Sequence, residues 1–358
     1  MAKYQIVIDW ISENISSGEL APGDKIPSEN EICEKFGISR QTARHAIGSL
    51  VESGILVSIR GSGTYVADER AGKDGKNSIA VITTYVDSYI FPKTIQGIES
   101  KLSQLEYTTQ ISFTGNTVDK ERQILEEIIN RGDVAGVIIE PTKSALPNPN
   151  IRLYKEFAKK DIPVMFINSY YPELDMPHVS LNDKKCAYKA VKKLIDMGHS
   201  QIACIMKLDD GQGRGRYAGY IKAIRECGQK VDENNIVWLD SVDARNIKAC
   251  KDRILGRISG CSAIFAYNDQ VASEIIGILE EEGKKVPEDI SIMSMDDSDI
   301  ARLSTPKISS VPHPKEKLGE KAAENLVHMI HHKGFKATYE FEEDLIIRES
   351  VKEIKKSN

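Results

Sequence analysis

The chain has 358 residues, 41% of them hydrophobic and 28% charged, with a formal net charge of -5. That length predicts two or three domains with a sizeable core. The acidic balance excludes a protein that coats nucleic acid indiscriminately, but not one whose contacting face alone is basic.

No apolar run approaches the ~20 residues of a membrane span. The opening residues alternate at helical spacing and lack the basic flank and apolar stretch of a signal peptide, so a cytoplasmic protein without a membrane partner is expected. The cysteines at 33, 186, 204, 227, 250 and 261 are scattered without a C-x-x-C pair. They read as free thiols, not a disulfide framework or zinc site.

In chain order, a first helix is predicted from about Lys3 to Ser16, with Ile6, Val7, Trp10 and Ile11 on one face. Ser28-Glu29-Asn30-Glu31 has the form of a capping box opening a second helix that ends at Phe36-Gly37. Ser39 caps a third, running to about Ser53. Helix, glycine turn and helix make a helix-turn-helix. On the third helix Ala43, Ala46, Ile47 and Leu50 point inward, while Arg40, Gln41, Arg44 and His45, with Thr42 beside them, reach outward. These are positions from which a recognition helix meets base edges.

Residues 55–66 follow as two β runs joined by a glycine turn, a wing with Arg60 and Gly61 at its tip. Lys3 offers a backbone contact, and Ser28 and Glu29 stand at the start of the second helix. Residues 1–68 hold three Lys and three Arg against three Asp and six Glu. That acidic balance is answered by position: the cations gather at Lys3, Arg40, Arg44 and Arg60. Most acids are expected elsewhere, on the first helix, the early face of the second and at Glu52, so double-stranded DNA is the expected partner.

Residues 69–77 are polar, aperiodic and glycine-containing, an interdomain linker. From 78 to 358, apolar runs alternate with helical stretches: 79–84, 108–113, 134–139, 163–167, 201–206, 262–266 and 290–295. The fold class is α/β: a winged helix-turn-helix followed by two lobes with parallel sheets.

Ligands of such sheets bind beyond the strands' carboxyl ends. There stand Tyr85, Tyr89 and Phe91; Glu140 and Lys143; Asn168, Tyr170 and Tyr171; the loop 209–217; Tyr267, Asn268 and Asp269; and Asp296 with Asp297. Any one of them can equally be a helix cap, as Asn268 and Asp183 could be. Together the aromatics, carboxylates and amides suit a small neutral sugar. No P-loop or dinucleotide fingerprint is present, and no catalytic residues, metal site or cofactor are assigned. His328 and His332 have zinc-pair spacing but lack the intervening glutamate.

The stretch P-S-E-N-E-I-C-E-K-F-G-I-S-R-Q-T-A-R-H-A-I, followed by the wing, resembles the GntR family of winged-helix repressors. V-A-G-V-I-I-E, I-P-V-M-F-I-N, L-I-D-M-G-H-S-Q-I-A, R-Y-A-G-Y, Y-N-D-Q-V-A and V-P-E-D-I-S-I-M-S-M-D-D resemble the LacI family and its periplasmic-binding-protein relatives. That second resemblance implies effector contacts by Arg216, Asn268 and Asp296, with Asn168 and His313 as further polar ligands.

The combination, with E-P-T-K-S-A-L, T-T-Y-V-D-S-Y-I-F-P and L-I-I-R-E-S, looks like the arabinose-responsive repressors. It implies L-arabinose as effector and release from an operator when the sugar binds. A homodimer held through the larger domain is expected, placing two recognition helices on a near-palindromic operator. The alternative from the residues alone is a sugar-binding or sugar-converting enzyme with an accessory N-terminal module.

Overall fold

The computed structural model describes residues 3–21, 23–53, 55–59, 63–67, 77–86, 89–332 and 334–354. Arg60, Gly61 and the expected linker residues 69–76 lie outside them. The chain divides into two compact units, Met1–Asn77 with Leu326–Ala337, and Ser78–Asn325 with Thr338–Asn358.

The first unit opens with α1 (Lys3–Ser17), α2 (Glu29–Phe36), α3 (Arg40–Glu52), β1 (Leu56–Ile59) and β2 (Gly63–Val66). The expected capping box forms: Glu31 N donates to Ser28 Oγ, and Ser28 N to Glu31 Oε2 at 2.7 Å. Gly37 ends α2 at φ 58°, a left-handed conformation that favours glycine. Ser39 caps α3 by accepting from Thr42 N.

Ala43, Ala46, Ile47 and Leu50 are buried as expected, against Val7, Ile11, Ile32, Leu56 and Val66. Ile6 is a correction: it is exposed, one position off the stripe that Val7 and Ile11 define. Trp10 is only partly buried, and Lys35 Nζ lies 3.8 Å from the centre of its ring. β1 and β2 pair antiparallel from Leu56↔Val66 to Ile59↔Gly63, which makes the wing.

The second unit holds two parallel sheets. Its elements begin β3 (Ser78–Thr83), α4 (Phe91–Gln104), β4 (Thr108–Phe113), α5 (Val118–Arg131), β5 (Gly136–Ile139), α6 (Ile151–Lys159), β6 (Val164–Ile167) and β7 (His178–Leu181). There follow α7 (Asp183–Asp196), β8 (Ile202–Lys207), α8 (Gly211–Glu226), β9 (Ile236–Leu239), α9 (Lys251–Ile258), β10 (Ala263–Ala266) and α10 (Asp269–Glu281). The last are β11 (Ser291–Asp296), α11 (Asp299–Leu303), β12 (Ser309–Pro312), α12 (Lys315–His331), whose residues from Leu326 on count with the first unit, and β13 (Tyr339–Phe341).

The N-lobe sheet has the order β13-β7-β6-β5-β3-β4 and the C-lobe sheet β12-β11-β10-β8-β9. The chain passes between lobes after β7, after β12 and after β13. Each central strand is apolar on both sides because helices cover both faces. In the C-lobe Ala203, Ile205, Ile264 and Ile292 face one helical layer, while Cys204, Met206, Phe265 and Met293 face the other. Strand carboxyl ends of both sheets therefore converge on the cleft.

Candidate functional site

On the first unit, α3 presents Arg40, Gln41, Arg44 and His45 to solvent. The expectation that the early face of the second helix keeps its acids away from these cations fails at Glu29. Arg40 Nε donates to Glu29 Oε2 at 2.9 Å, and Arg44 Nε to Glu29 Oε1 at 3.0 Å. Hydrogen bonds from Arg44 and then Arg40 hold the Glu29 carboxyl below its usual range. Glu52 borders the same groove as Gln41, Thr42, Arg44 and His45.

The arginine side chains nevertheless remain 67% and 68% exposed. Solvent and salt screen pairs this exposed, so a phosphate or guanine edge can compete for them. Two guanidiniums against one carboxylate also leave a surplus positive charge. The Ser28 hydroxyl serves Glu31, and Thr42 Oγ1 lies 2.8 Å from Ser39 Oγ, so both are engaged in capping. His45 packs edge-on against Tyr4 at 4.9 Å, and Lys3 is exposed at the start of α1.

On the second unit a cavity of about 230 Å³ lies between the lobes. That is at or below the small end of ordinary ligand sites, roughly 300–1,000 Å³. Tyr85, Tyr89, Phe91, Glu140, Arg216, Asn268, Asp296 and His313 all line it, as the strand-end reading and the resemblance expect. Asn168 does not. Its Nδ2 instead donates to Glu140 Oε1 at 2.9 Å, behind the cavity wall.

Glu140 also accepts from Thr84 N at 3.0 Å and from the Thr84 hydroxyl. Burial pushes the Glu140 carboxyl up, and the bonds from Thr84 and Asn168 offset only part of that.

Arg216 is the electrostatic centre. It is 3% exposed and donates to Asp183 Oδ1 at 2.7 Å, Asp296 Oδ1 at 2.9 Å and the Tyr267 carbonyl at 2.6 Å. One guanidinium stands between two carboxylates. Burial dominates at Asp183 and pushes it up to about 7. At Asp296 burial is outweighed by Arg216 and neighbouring groups, so that carboxyl stays low. Tyr89 Oη, from the N-lobe, donates to Asp296 Oδ2 at 2.8 Å.

His313 is buried in the cavity wall, and its Nδ1 has no hydrogen-bond partner among the described residues. Burial drives its pKa down to about 4, so the ring is neutral at physiological pH. Asn268 caps α10 through Oδ1, which accepts from Val271 N at 3.0 Å, while bordering the cavity. The cap expected of it is thus formed, and capping does not remove it from the cavity lining.

Residues 3–66 match the bacterial regulatory proteins of the gntR family. Residues 191–351 match the periplasmic binding protein-like domain. The arabinose metabolism transcriptional repressor of Halalkalibacterium halodurans is 36% identical over 99% of this chain and 97% of its own length. That of Geobacillus stearothermophilus is 33% identical, covering 98% and 96%. This chain belongs to the family of arabinose metabolism transcriptional repressors.

Among solved structures, the transcription regulator CcpA of Lactococcus lactis superposes with a TM-score of 0.70 and 25% identity. The match covers 77% of this repressor and all of that chain. A CelR–cellobiose complex, 20% identical with a TM-score of 0.69 over 91% of this chain and all of that one, shares the fold. These relatives give no support to the alternative of a sugar-converting enzyme.

The repressor's cleft also holds residues that sequence reasoning did not assign. Lys207 ends β8 with Nζ 3.0 Å from Asp210 Oδ2 and 3.6 Å from Asp209 Oδ1. Asp210, in the loop expected beyond the strand ends, also accepts at Oδ2 from Oη of Tyr267, likewise an expected strand-end residue, at 2.6 Å. Arg245 stacks 4.9 Å from the Tyr85 ring centre, and Asn116 Nδ2 donates to Ser241 Oγ at 2.7 Å. Ser241 and Arg245 follow β9, a strand the sequence reading missed. Reading beyond its carboxyl end would have found them.

Tyr171 turns away into the N-lobe core. There, with Tyr154, Asn148 and Asn150, it donates to the fully buried Glu121. Asp297 turns from the cleft to Arg302 and Arg348, so the two adjacent aspartates diverge.

Proposed function

We propose that the interlobe cavity binds L-arabinose and that its binding releases the repressor from operator DNA. The carrying observation is the charge balance at Arg216, whose positive charge is already answered by Asp183 and Asp296. At Arg216 a phosphate or sugar acid would find no uncompensated cation; Lys143 and Arg245, which border the same cavity, lie at its rim with no carboxylate partner among the described residues. A neutral polyol would find carboxylates that accept, the open Nδ1 of His313, and Tyr85, Phe91 and Tyr267 as apolar walls. The identity of the sugar rests on the names of the two full-length relatives.

Tyr85, Tyr89, Phe91, Glu140, Arg216, Asn268, Asp296 and His313 form the effector-binding set in this reading, with Asn168 acting through Glu140. Arg40, Gln41, Thr42, Arg44 and His45 face the base edges, flanked by Ser28 and Glu29. Lys3, Arg60 and Gly61 hold the phosphate backbone. A cytoplasmic homodimer would place two such faces on half-sites about one helical turn, or a multiple of it, apart.

Release by sugar requires that sugar affinity differ between operator-bound and free protein by the factor that sugar changes operator affinity. Calorimetric titration of L-arabinose with and without operator tests this. Weaker sugar binding in the presence of operator supports the proposal, and equal affinity removes it.

A further inference from the structure

The two lobes meet beside the cavity at the first turn of α8. This helix carries Gln212 and Arg216 to the cavity wall and begins at Gly211. Gly211 N donates to Ser144 Oγ of the opposite lobe at 2.9 Å, and Ser144 Oγ lies 2.9 Å from Ser169 Oγ. Both serines are buried.

A Cβ on Gly211 would stand 2.2 Å from Ser169 Oγ, with Ser144 Oγ at 3.4 Å and Ser169 Cβ at 3.5 Å. Only the first distance is impossible. Turning the Ser169 hydroxyl aside would cost its buried bond to Ser144. The backbone of Gly211 does not itself need glycine, because its φ lies outside the left-handed region. Alanine is the better helix residue. What the missing side chain accommodates is the other lobe.

We propose that Gly211 sets how far the cleft closes: its bare Cα lets the Ser144–Ser169 pair seat on the first turn of α8, and a side chain there wedges the lobes apart. This rests on reading the cleft as the effector site. A wedge at this seam also lengthens other bonds between lobes, among them Asn116 to Ser241 and Tyr89 to Asp296. Sugar held from both sides then loses one wall.

The test compares wild type, Gly211→Ala, Ser169→Ala and the double variant in the full-length protein. Calorimetry with L-arabinose and small-angle scattering of the sugar-free protein are the readouts. Gly211→Ala is expected to weaken sugar binding roughly tenfold and to enlarge the radius of gyration. Adding Ser169→Ala, which removes the colliding oxygen, restores both to the values of Ser169→Ala alone. A local folding defect at α8 would not be repaired from the other lobe.

Gly211→Ala binding sugar like wild type, or a double variant no better than Gly211→Ala, overturns the proposal. If wild type itself takes up no sugar, the effector reading fails on its own account. The scattering then still decides the seam: equal radii for wild type and Gly211→Ala overturn it.

Discussion

Replacing Arg216 by methionine removes three donors at once and leaves Asp183 and Asp296 facing each other in a buried site without their cation. Both carboxylates are nearly inaccessible, so solvent cannot take over the role of the guanidinium. Breaking such a buried arrangement from one side costs about 3–5 kcal/mol. For a unit of this size that is on the order of 10 °C in Tm. Scanning calorimetry at neutral pH reads the loss.

Arg122→Met is the control. Its pairs with Asp119 and Glu126 are exposed, and it should cost no more than about 1 kcal/mol. Without Arg216 the Asp183 carboxyl, already raised to about 7, must take up a proton to stay buried. Adding Asp183→Asn to Arg216→Met removes that requirement and should return part of the loss, a coupling of ~1–3 kcal/mol. A variant Arg216→Met within about 1 kcal/mol of wild type, or an Asp183→Asn effect that simply adds, would refute the view that one guanidinium holds two buried carboxylates.

Arg44→Ala should weaken operator binding by ~1–3 kcal/mol if its base contact is bidentate, and an unchanged gel-shift midpoint would discard that contact. Glu29→Gln frees Arg40 and Arg44, so binding to non-operator duplex should tighten and fall more steeply with salt in anisotropy titrations; an unaltered slope would mean the carboxylate masks nothing. His313, held near 4 when folded against about 6.5 unfolded, contributes stability present above pH 6.5 and lost as pH falls toward 4. His313→Gln should flatten that limb of a urea-denaturation series. Asp183, raised to about 7, acts oppositely: its contribution is complete below roughly pH 4 and lost as pH rises through about 7. Asp183→Asn should remove that decline.

The sequence revealed the fold where one physical signal dominated. Capping at Ser28 and Ser39 bounded α2 and α3 because the side chain that satisfies an orphan N–H is written in the chain itself. The central strands stood out because burial on both faces leaves only apolar residues. β12 gave no such signal. Ser309 and Ser310 are buried, but their polar atoms are met by Ser350, Arg348 and Asp269, partners remote in sequence. β13 is short and at a sheet edge, with Tyr339 exposed, so it needs no apolar run.

The cavity wall was largely legible because strand-end position alone locates it. Asn168 satisfied that rule and still turned behind Glu140, since the rule fixes a residue's neighbourhood and not its rotamer. The Glu29 contact with Arg40 and Arg44 escaped for a similar reason: the charges were counted along the chain, whereas the turn at Gly37 folds the start of α2 onto α3.

The central claim is that a sugar in the cleft governs the DNA-reading helix, and operator retention by the purified full-length chain with single sugars added tests it most directly. Retention of operator duplex without sugar, its release by L-arabinose and its persistence with other pentoses at equal concentration is the predicted result. Retention that L-arabinose leaves unchanged, or no duplex held at modest salt in its absence, would contradict the account.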